Sequence, residues 1–438
     1  MRWDVRGGRW IWALAAICAV ALGIRVGYVL GWRDVSSVGG DAGYYHDGAN
    51  LLADGHGFVH PDAWRHDVRI PGADHPPAYI VALAVPSLLG FDSIRAHMIT
   101  SCLIGTATVA LIGLLGRRVG GDKVGLLAAV IAAGYPNLWL FDGSLMSETL
   151  ATFFAVLVSL AAYRVWDRPT WRRWAALGGA IGLATLTRSE SVLLLGLLLV
   201  PLAAWARGLA GWRERVTRAG VAVVAAAAVM APWVGANLVR FDHPVTLSSQ
   251  AGLTLYVANC DDTYYGQSIG RWSGYCLPAI GDAGGSVADQ RLRSEALDYV
   301  QSHLRRFPLV EAARVGRTWG LYAPRDELSF DRMAEGRPLE AARAGFAMYY
   351  VLAAFSVAGI VTLRRRGVPS FPLTVWLVNV TITVLSFYGI TRFRAAAEPA
   401  LVLLAAVGLL AVLEHHRHMI KAMSEEPAGR RVPATVSG

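Results

Sequence analysis

His75–Gly90 reads HPPAYIVALAVPSLLG. It is apolar enough to enter a membrane. At ~1.5 Å per residue, however, so short a helix falls short of a hydrocarbon layer of ~30 Å, and Pro86 interrupts it. Counting it as a span or not decides the orientation of every later loop.

The surroundings of this stretch are those of a membrane protein. The chain has 438 residues, is 54% hydrophobic, and has a mean hydropathy of +0.41. Its apolar runs are Ala/Leu/Val-rich and too long for barrel strands, so they predict helices. We place ten spans at 10–31, 94–115, 124–140, 149–166, 174–187, 190–206, 218–236, 342–362, 371–388 and 397–413. With this set, the Arg clusters at 2–9, 117–123, 164–173, 207–218, 364–366 and 417–431 all fall on one side. The positive-inside rule makes that side the cytoplasm, with both termini inside. Counting 75–90 as an eleventh span would put the later Arg clusters outside, so we read it as an interfacial or re-entrant helix. The same distribution accounts for the net charge of +9 without nucleic acid. The first span is long and no cleavage site follows it, which predicts an anchor rather than a signal peptide.

The expected fold class is therefore an all-α polytopic membrane protein. It has about ten transmembrane helices, juxtamembrane helices on the outer face and one larger outer loop. Residues 1–415 form the membrane domain, with outer loops at 32–93 and 237–341, and 416–438 form a disordered cytoplasmic tail. No internal repeat is visible. In the 237–341 loop, 288–324 reads as one or two amphipathic helices broken near Pro308, lying on the outer interface.

Titratable residues crowd the outer side. Ser37–Pro77 alone holds six Asp and five His. Asp41, in GGDAGYY, follows a glycine turn that would hold a carboxylate just above the membrane. It reads either as a general base or as the cap of a helix starting near Ala42. Asp47 and Tyr45 lie on that helix, and His75 opens the re-entrant element. The five His include no HExxH spacing, so a divalent metal is an open question rather than an expectation, and no cofactor is certain. Glu148 is either a second acid facing the Asp41 cavity or a favourable charge at a helix N-terminus. Arg188, Arg392 and Arg394 stand near outer span ends. Arg forks suit phosphate oxygens, although pairing with Glu190 and Glu398 would serve them equally. Cys260 and Cys276 sit in a polar loop, and a disulfide between them is expected if that loop faces an oxidising compartment. Between them, Tyr264 and Trp272 could stack on a sugar or simply close a structural lid.

The ordered landmarks GGDAGYYHDGANLLADGHGF, HPPAYIVALAVPSLLG, SIRAHMITSCLIGTATVALIGLLGRRVGG, YPNLWLFDGSLMSETL, GLATLTRSE and TRFRAAAEPALVLLAAVGL cover about residues 10–415. In order and spacing they resemble the GT-C superfamily of membrane glycosyltransferases. The resemblance is to the group related to protein O-mannosyltransferases and the lipid A aminoarabinose transferase, a glycosyltransferase family 39-like pattern. It implies a polyprenyl-phosphate-linked sugar donor and transfer on the outer face of the bacterial cytoplasmic membrane. It also implies Asp41 as general base and an Arg near the last outer loop holding the donor phosphate, Arg392 before Arg394. The acceptor would be a cell-envelope protein, glycan or lipid. The family often carries an acidic pair where this chain has Asp41–Ala42, so Asp47 or Glu148 would have to supply the second charge.

The competing readings are a transporter or flippase of a lipid-linked precursor, a ligase moving a whole glycan, and a non-catalytic assembly subunit. A transporter calls for broken helices and polar residues in mid-span, and the spans read as almost free of such residues.

Overall fold

The structure, a computed structural model, describes residues 5–35, 38–278 and 285–425. These are helical and loop segments, and none of the described residues lies in a named strand. Every one of the ten apolar runs falls on a helix or a broken helical segment. Among the described residues, six helices are long and apolar enough to cross a membrane: Gly8–Gly31, Ile94–Gly120, Glu148–Asp167, Trp212–Arg240, Leu339–Arg365 and Thr391–Ile420. The Ala78–Leu88 helix is too short for this by itself.

Two runs expected as single spans are broken. The run at 124–140 consists of Asp122–Gly134 and Pro136–Gly143, bent by 71°. Tyr135 precedes Pro136 and is held extended (φ −76°, ψ 112°), because proline disfavours the helical region for its predecessor. The run at 190–206 is a 3-10 turn, Ser189–Leu193, followed by Leu194–Leu197 and Leu199–Trp205, with Pro201 removing an amide donor.

Two apolar clusters hold the helices together, one around Trp174, Trp376 and Leu83, the other around Tyr135, Tyr163 and the face Ala400–Val407. Hydrogen bonds also cross between helices. Trp376 Nε1 donates to Ser159 Oγ at 2.9 Å, and Ser159 Oγ donates to the Pro372 carbonyl at 3.0 Å. Glycine sets the spacing of one helix pair. A Cβ at Gly359 would overlap the Leu404 carbonyl, and one at Gly408 would overlap that of Phe355, so Leu339–Arg365 and Glu398–Glu425 meet backbone to backbone.

The membrane domain also contains an ion pair that contradicts the expectation of nearly apolar spans. Arg25 Nε lies 2.9 Å from Asp142 Oδ2, and the two side chains are 1% and 0% exposed. Gly105 makes the room, since a Cβ there would overlap Asp142 Oδ2.

The segment 288–324 holds two helices, Gly285–Ser302 and Phe307–Thr318, as expected, and a third long helix, Pro324–Glu335, follows; the short helices Ala251–Tyr256 and Asp261–Tyr264 precede them in the large loop. The break falls before Pro308, as expected. The third helix starts at Pro324, whose fixed φ suits a first helical position. At the C-terminus, the last helix runs on to Glu425, past the boundary expected at 415. No proline occurs between Pro399 and Pro427, and residues such as Met419, Lys421, Ala422 and Met423 are good helix formers. Residues 426–438, the rest of the expected tail, lie outside the described residues.

Candidate functional site

At one end of the helix bundle, four chain segments bring charged residues together. The Gly40–Ala53 helix carries Asp41 in its first turn. Gly39 is its cap residue, and Gly40 takes φ +56°, a left-handed conformation that glycine adopts without a Cβ penalty. No side chain caps this helix. The capping role open to Asp41 in the sequence is thus not taken up, and its carboxylate points elsewhere.

The Asp41 carboxylate meets Arg392. Arg392 Nη2 donates to Asp41 Oδ2 at 3.0 Å, while Arg392 Nε lies 2.7 Å from Glu148 Oε1. Glu148 also accepts from Arg188 Nη1 at 2.5 Å, and Arg188 Nε bonds Glu190 Oε1 at 2.5 Å. His75 Nε2 stands 3.4 Å from Asp41 Oδ1, and its ring stacks on Tyr45 at 4.8 Å. The order of the chain is thus Glu190–Arg188–Glu148–Arg392–Asp41–His75, alternating in charge up to the histidine. Glu148 is 1% exposed, whereas Asp41 keeps 33% of its side chain open. Partial burial would raise the Asp41 carboxyl. His75 first, then Arg392, outweigh this and hold it well below the ordinary carboxylate range.

Two cavities share this chain as a wall. The first, about 220 Å³, is lined by Asp41, Tyr45, His75, Arg188, Tyr388 and Arg392 among others. The second, about 390 Å³, is lined by Asp41, Arg392, Trp272, Phe330 and Glu335 among others. Asp41 and Arg392 therefore face both. An acid and a cation between two cavities can act on two ligands at once.

The remaining sequence candidates divide. Asp41, Tyr45, His75, Arg188, Arg392 and Trp272 line the cavities, and Glu148 lies directly behind them. Asp47 instead pairs with Arg65 at an exposed rim. Tyr264 is fully buried, and its hydroxyl donates to Asn259 Oδ1 at 2.8 Å. Arg394 is 1% exposed and bonded to Glu398 Oε1 at 2.6 Å, with its guanidinium 3.6 Å from the Tyr349 ring centre. Arg392 and Arg394 sit two residues apart on the 3-10 turn Thr391–Ala397, so they point to different sides. Arg392 faces the cavities, and Arg394 is built into the helix packing. Cys260 and Cys276 are joined by a disulfide, with Cα atoms 6.5 Å apart.

Among the described residues, no three His, Cys, Asp or Glu side chains form a group that could hold a metal ion. The five histidines of the first loop are dispersed: His60 pairs with Asp74, His75 with Asp41, and His46 with His97, while His56 packs on Trp64. Asp41 and Glu148 are engaged by guanidinium groups. These residues do not form the donor set that a divalent cation needs.

Several cavity residues were missed by the sequence reading. Asp74 lines the first cavity and accepts from Ser249 Oγ at 3.1 Å and Gln250 Nε2 at 3.3 Å, tying the first loop to the long one. Its place beside His75 was a signal left unused. Phe330 and Glu335 belong to the Pro324–Glu335 helix, which was not expected. Tyr388 stands only four residues before Arg392 in SFYGITRFR.

The comparisons with known proteins bear on this geometry. The sequence profile of the dolichyl-phosphate-mannose-protein mannosyltransferase family matches residues 74–235, less than half of the chain. A comparison with the curated proteins finds no match. Among solved structures, the apo oligosaccharyltransferase of Archaeoglobus fulgidus aligns at 16% identity and a TM-score of 0.53, over 95% of this chain and 52% of that one. The same organism's oligosaccharyltransferase AglB, in complex with an inhibitory peptide and a dolichol-phosphate, aligns at 16% identity and a TM-score of 0.52, over 96% and 52%. ArnT from Cupriavidus metallidurans bound to undecaprenyl phosphate aligns at 13% identity and a TM-score of 0.44, over 96% and 81%. The chain spans about half the length of the archaeal structures it matches. The protein is an all-α, multi-span membrane protein whose fold is shared with the archaeal oligosaccharyltransferase structures.

Proposed function

We propose that this protein is a membrane glycosyltransferase that moves a single sugar, with inversion, from a polyprenyl-phosphate donor to an acceptor hydroxyl. The reaction runs on the outer face of the cytoplasmic membrane, with both termini inside and residues 1–415 as the catalytic unit. The observation that carries this reading is Arg392 held between Asp41 and Glu148 in the wall common to two cavities.

The chemistry follows from that placement. The acceptor hydroxyl gives its proton to Asp41 as its oxygen attacks the anomeric carbon. The bond from that carbon to the phosphate oxygen breaks, and polyprenyl phosphate leaves. The leaving phosphate gains one negative charge, which Arg392 and the neighbouring Arg188 are placed to stabilise. Asp41 stays ionised at neutral pH because His75 and Arg392 favour its charged form. Glu148 orients both guanidinium groups and stands in for the acidic neighbour that Ala42 cannot provide. Trp272 and Tyr45 offer aromatic faces on opposite sides of the acid. The dolichol-phosphate bound to the archaeal neighbour of the same fold supports a lipid phosphate as the ligand class.

The test uses the purified full-length protein in liposomes, a panel of radiolabelled polyprenyl-phosphate sugars and native membrane extract, with and without chelator. Transfer of a single labelled sugar to an extract component is expected from at least one donor. Labelled lipid crossing the bilayer without covalent transfer would overturn the reading in favour of a transporter.

A further inference from the structure

The turn Trp319–Ala323, between the second and third long helices of the large loop, lies far deeper than the helices it joins. Trp319 Nε1 donates to Thr381 Oγ1 at 3.2 Å, and Thr381 sits more than a turn inside the Phe371–Ser386 helix. Tyr349 and Tyr350, from the Leu339–Arg365 helix, donate to the carbonyls of Trp319 at 3.0 Å and Gly320 at 2.7 Å. That helix ends in Arg364 and Arg365. Counting ~20 residues back from them sets its other hydrocarbon boundary near residue 345, so Tyr350 lies ~7 Å inside the apolar layer. The turn is fastened at that depth.

Its chemistry suits the location. A backbone in hydrocarbon must satisfy its own polar groups. Here the amides of Leu321 and Tyr322 both donate to the Gly316 carbonyl, at 2.7 and 3.0 Å, and that of Gly320 donates to Arg317 at 3.1 Å. Gly320 takes φ +67°, and a Cβ there would stand 2.9 Å from the Tyr350 hydroxyl, so glycine permits both the turn and the contact. At the tip, Leu321 is 79% exposed. It adjoins the exposed stripe of the Leu339–Arg365 helix that includes Tyr350, Val351 and Val357. Arg325, exposed in the first turn of the Pro324–Glu335 helix, has a side chain long enough to reach headgroups from there.

We infer that the Trp319–Ala323 turn is a re-entrant membrane anchor whose Leu321 side chain contacts the acyl chains of the leaflet on the site's side. The occupant is lipid because the tip is continuous with the outward stripe of a spanning helix and the amides of Gly320, Leu321 and Tyr322 are taken up within the turn. The anchor fixes the Pro324–Glu335 helix, which brings Phe330 and Glu335 to the wall of the second cavity.

The test reads depth and is independent of any transfer activity. In a Cys18→Ala, Cys102→Ala background, the full chain carrying Leu321→Cys is labelled with an environment-sensitive fluorophore. It is then reconstituted in phosphatidylcholine vesicles. Ser294→Cys, on the exposed face of the Gly285–Ser302 helix, is the aqueous control, and Val351→Cys, on the outward stripe of the spanning helix, is the lipid-facing reference. The 321 probe is expected to emit at shorter wavelength than the 294 probe, to be quenched by acyl-chain nitroxides and to resist iodide. Iodide quenching equal to that at 294 would overturn the inference. So would protection from both quenchers, which would mean that protein covers the tip.

Discussion

Replacing Asp41 by Asn separates the two roles that meet at the Asp41–Arg392 contact. Asn is nearly isosteric and keeps an oxygen for Arg392, but it cannot take a proton from an acceptor hydroxyl. Loss of a general base typically costs 10²–10⁴ in rate, or about 2.7–5.5 kcal/mol on the barrier, and turnover should fall within that range. Donor binding should move the other way. Arg392 now divides its guanidinium between Asp41 and Glu148, and an incoming phosphate competes with both. Neutralising Asp41 removes one competitor. A half-open pair of this kind contributes about 0.2–1 kcal/mol, so donor affinity should rise by up to about fivefold. The assay is single-turnover transfer at saturating donor, with donor affinity measured separately by equilibrium binding. Arg392→Gln should give the mirror image, with weakened donor binding and a smaller loss in the chemical step. The reasoning fails if Asp41→Asn binds donor more weakly yet transfers at the normal rate once saturated, because Asp41 would then be a binding group and not the base.

Other expectations follow from the neighbouring contacts. Asp41 is depressed chiefly by His75, so its ionised form persists below the ordinary pKa of about 3.9. His75→Ala should shift the acid limb of the kcat/KM profile to higher pH, and an unmoved limb would remove His75 from the account. His60 is raised by its hydrogen bond to Asp74. Its contribution to stability is full below its unfolded pKa of about 6.5 and is lost as pH rises through the folded value. Melting temperature should therefore fall with rising pH in the wild type, and His60→Gln should lessen that slope. Gly105→Ala places a methyl against Asp142 and splits its buried pair with Arg25, a change worth about 3–5 kcal/mol, so an unaltered melting temperature would contradict the packing described. Cys260→Ser with Cys276→Ser opens the loop closed by the disulfide and should cost roughly 3 kcal/mol on loop-entropy grounds. This is measured as reduced resistance of the 237–341 segment to protease.

What could be read from the sequence follows from the range of the forces involved. Hydrophobic runs act locally, so the positions of the apolar helices were visible, and the shortness of HPPAYIVALAVPSLLG correctly set it apart from the long ones. The bend at Tyr135 was visible in principle through Pro136, but a run of apolar composition hides it. The site is different because it forms at long range. Asp41 and Arg392 are separated by most of the chain and meet only because the Gly40–Ala53 helix lies against the last 3-10 turn. Sequence could nominate both, and Arg394 with them, since an Arg near a span end looks the same whether it faces a cavity or a buried Glu398. The turn geometry decides it: side chains two residues apart on a 3-10 helix point about 120° apart, leaving Arg392 at the cavity wall and Arg394 against Tyr349. The missing acidic neighbour resolves in the same way. Ala42 cannot supply a second carboxylate in the chain, but Glu148 supplies one in space, across Arg392. Two carboxylates far apart in sequence can thus share one site when a single guanidinium bridges them.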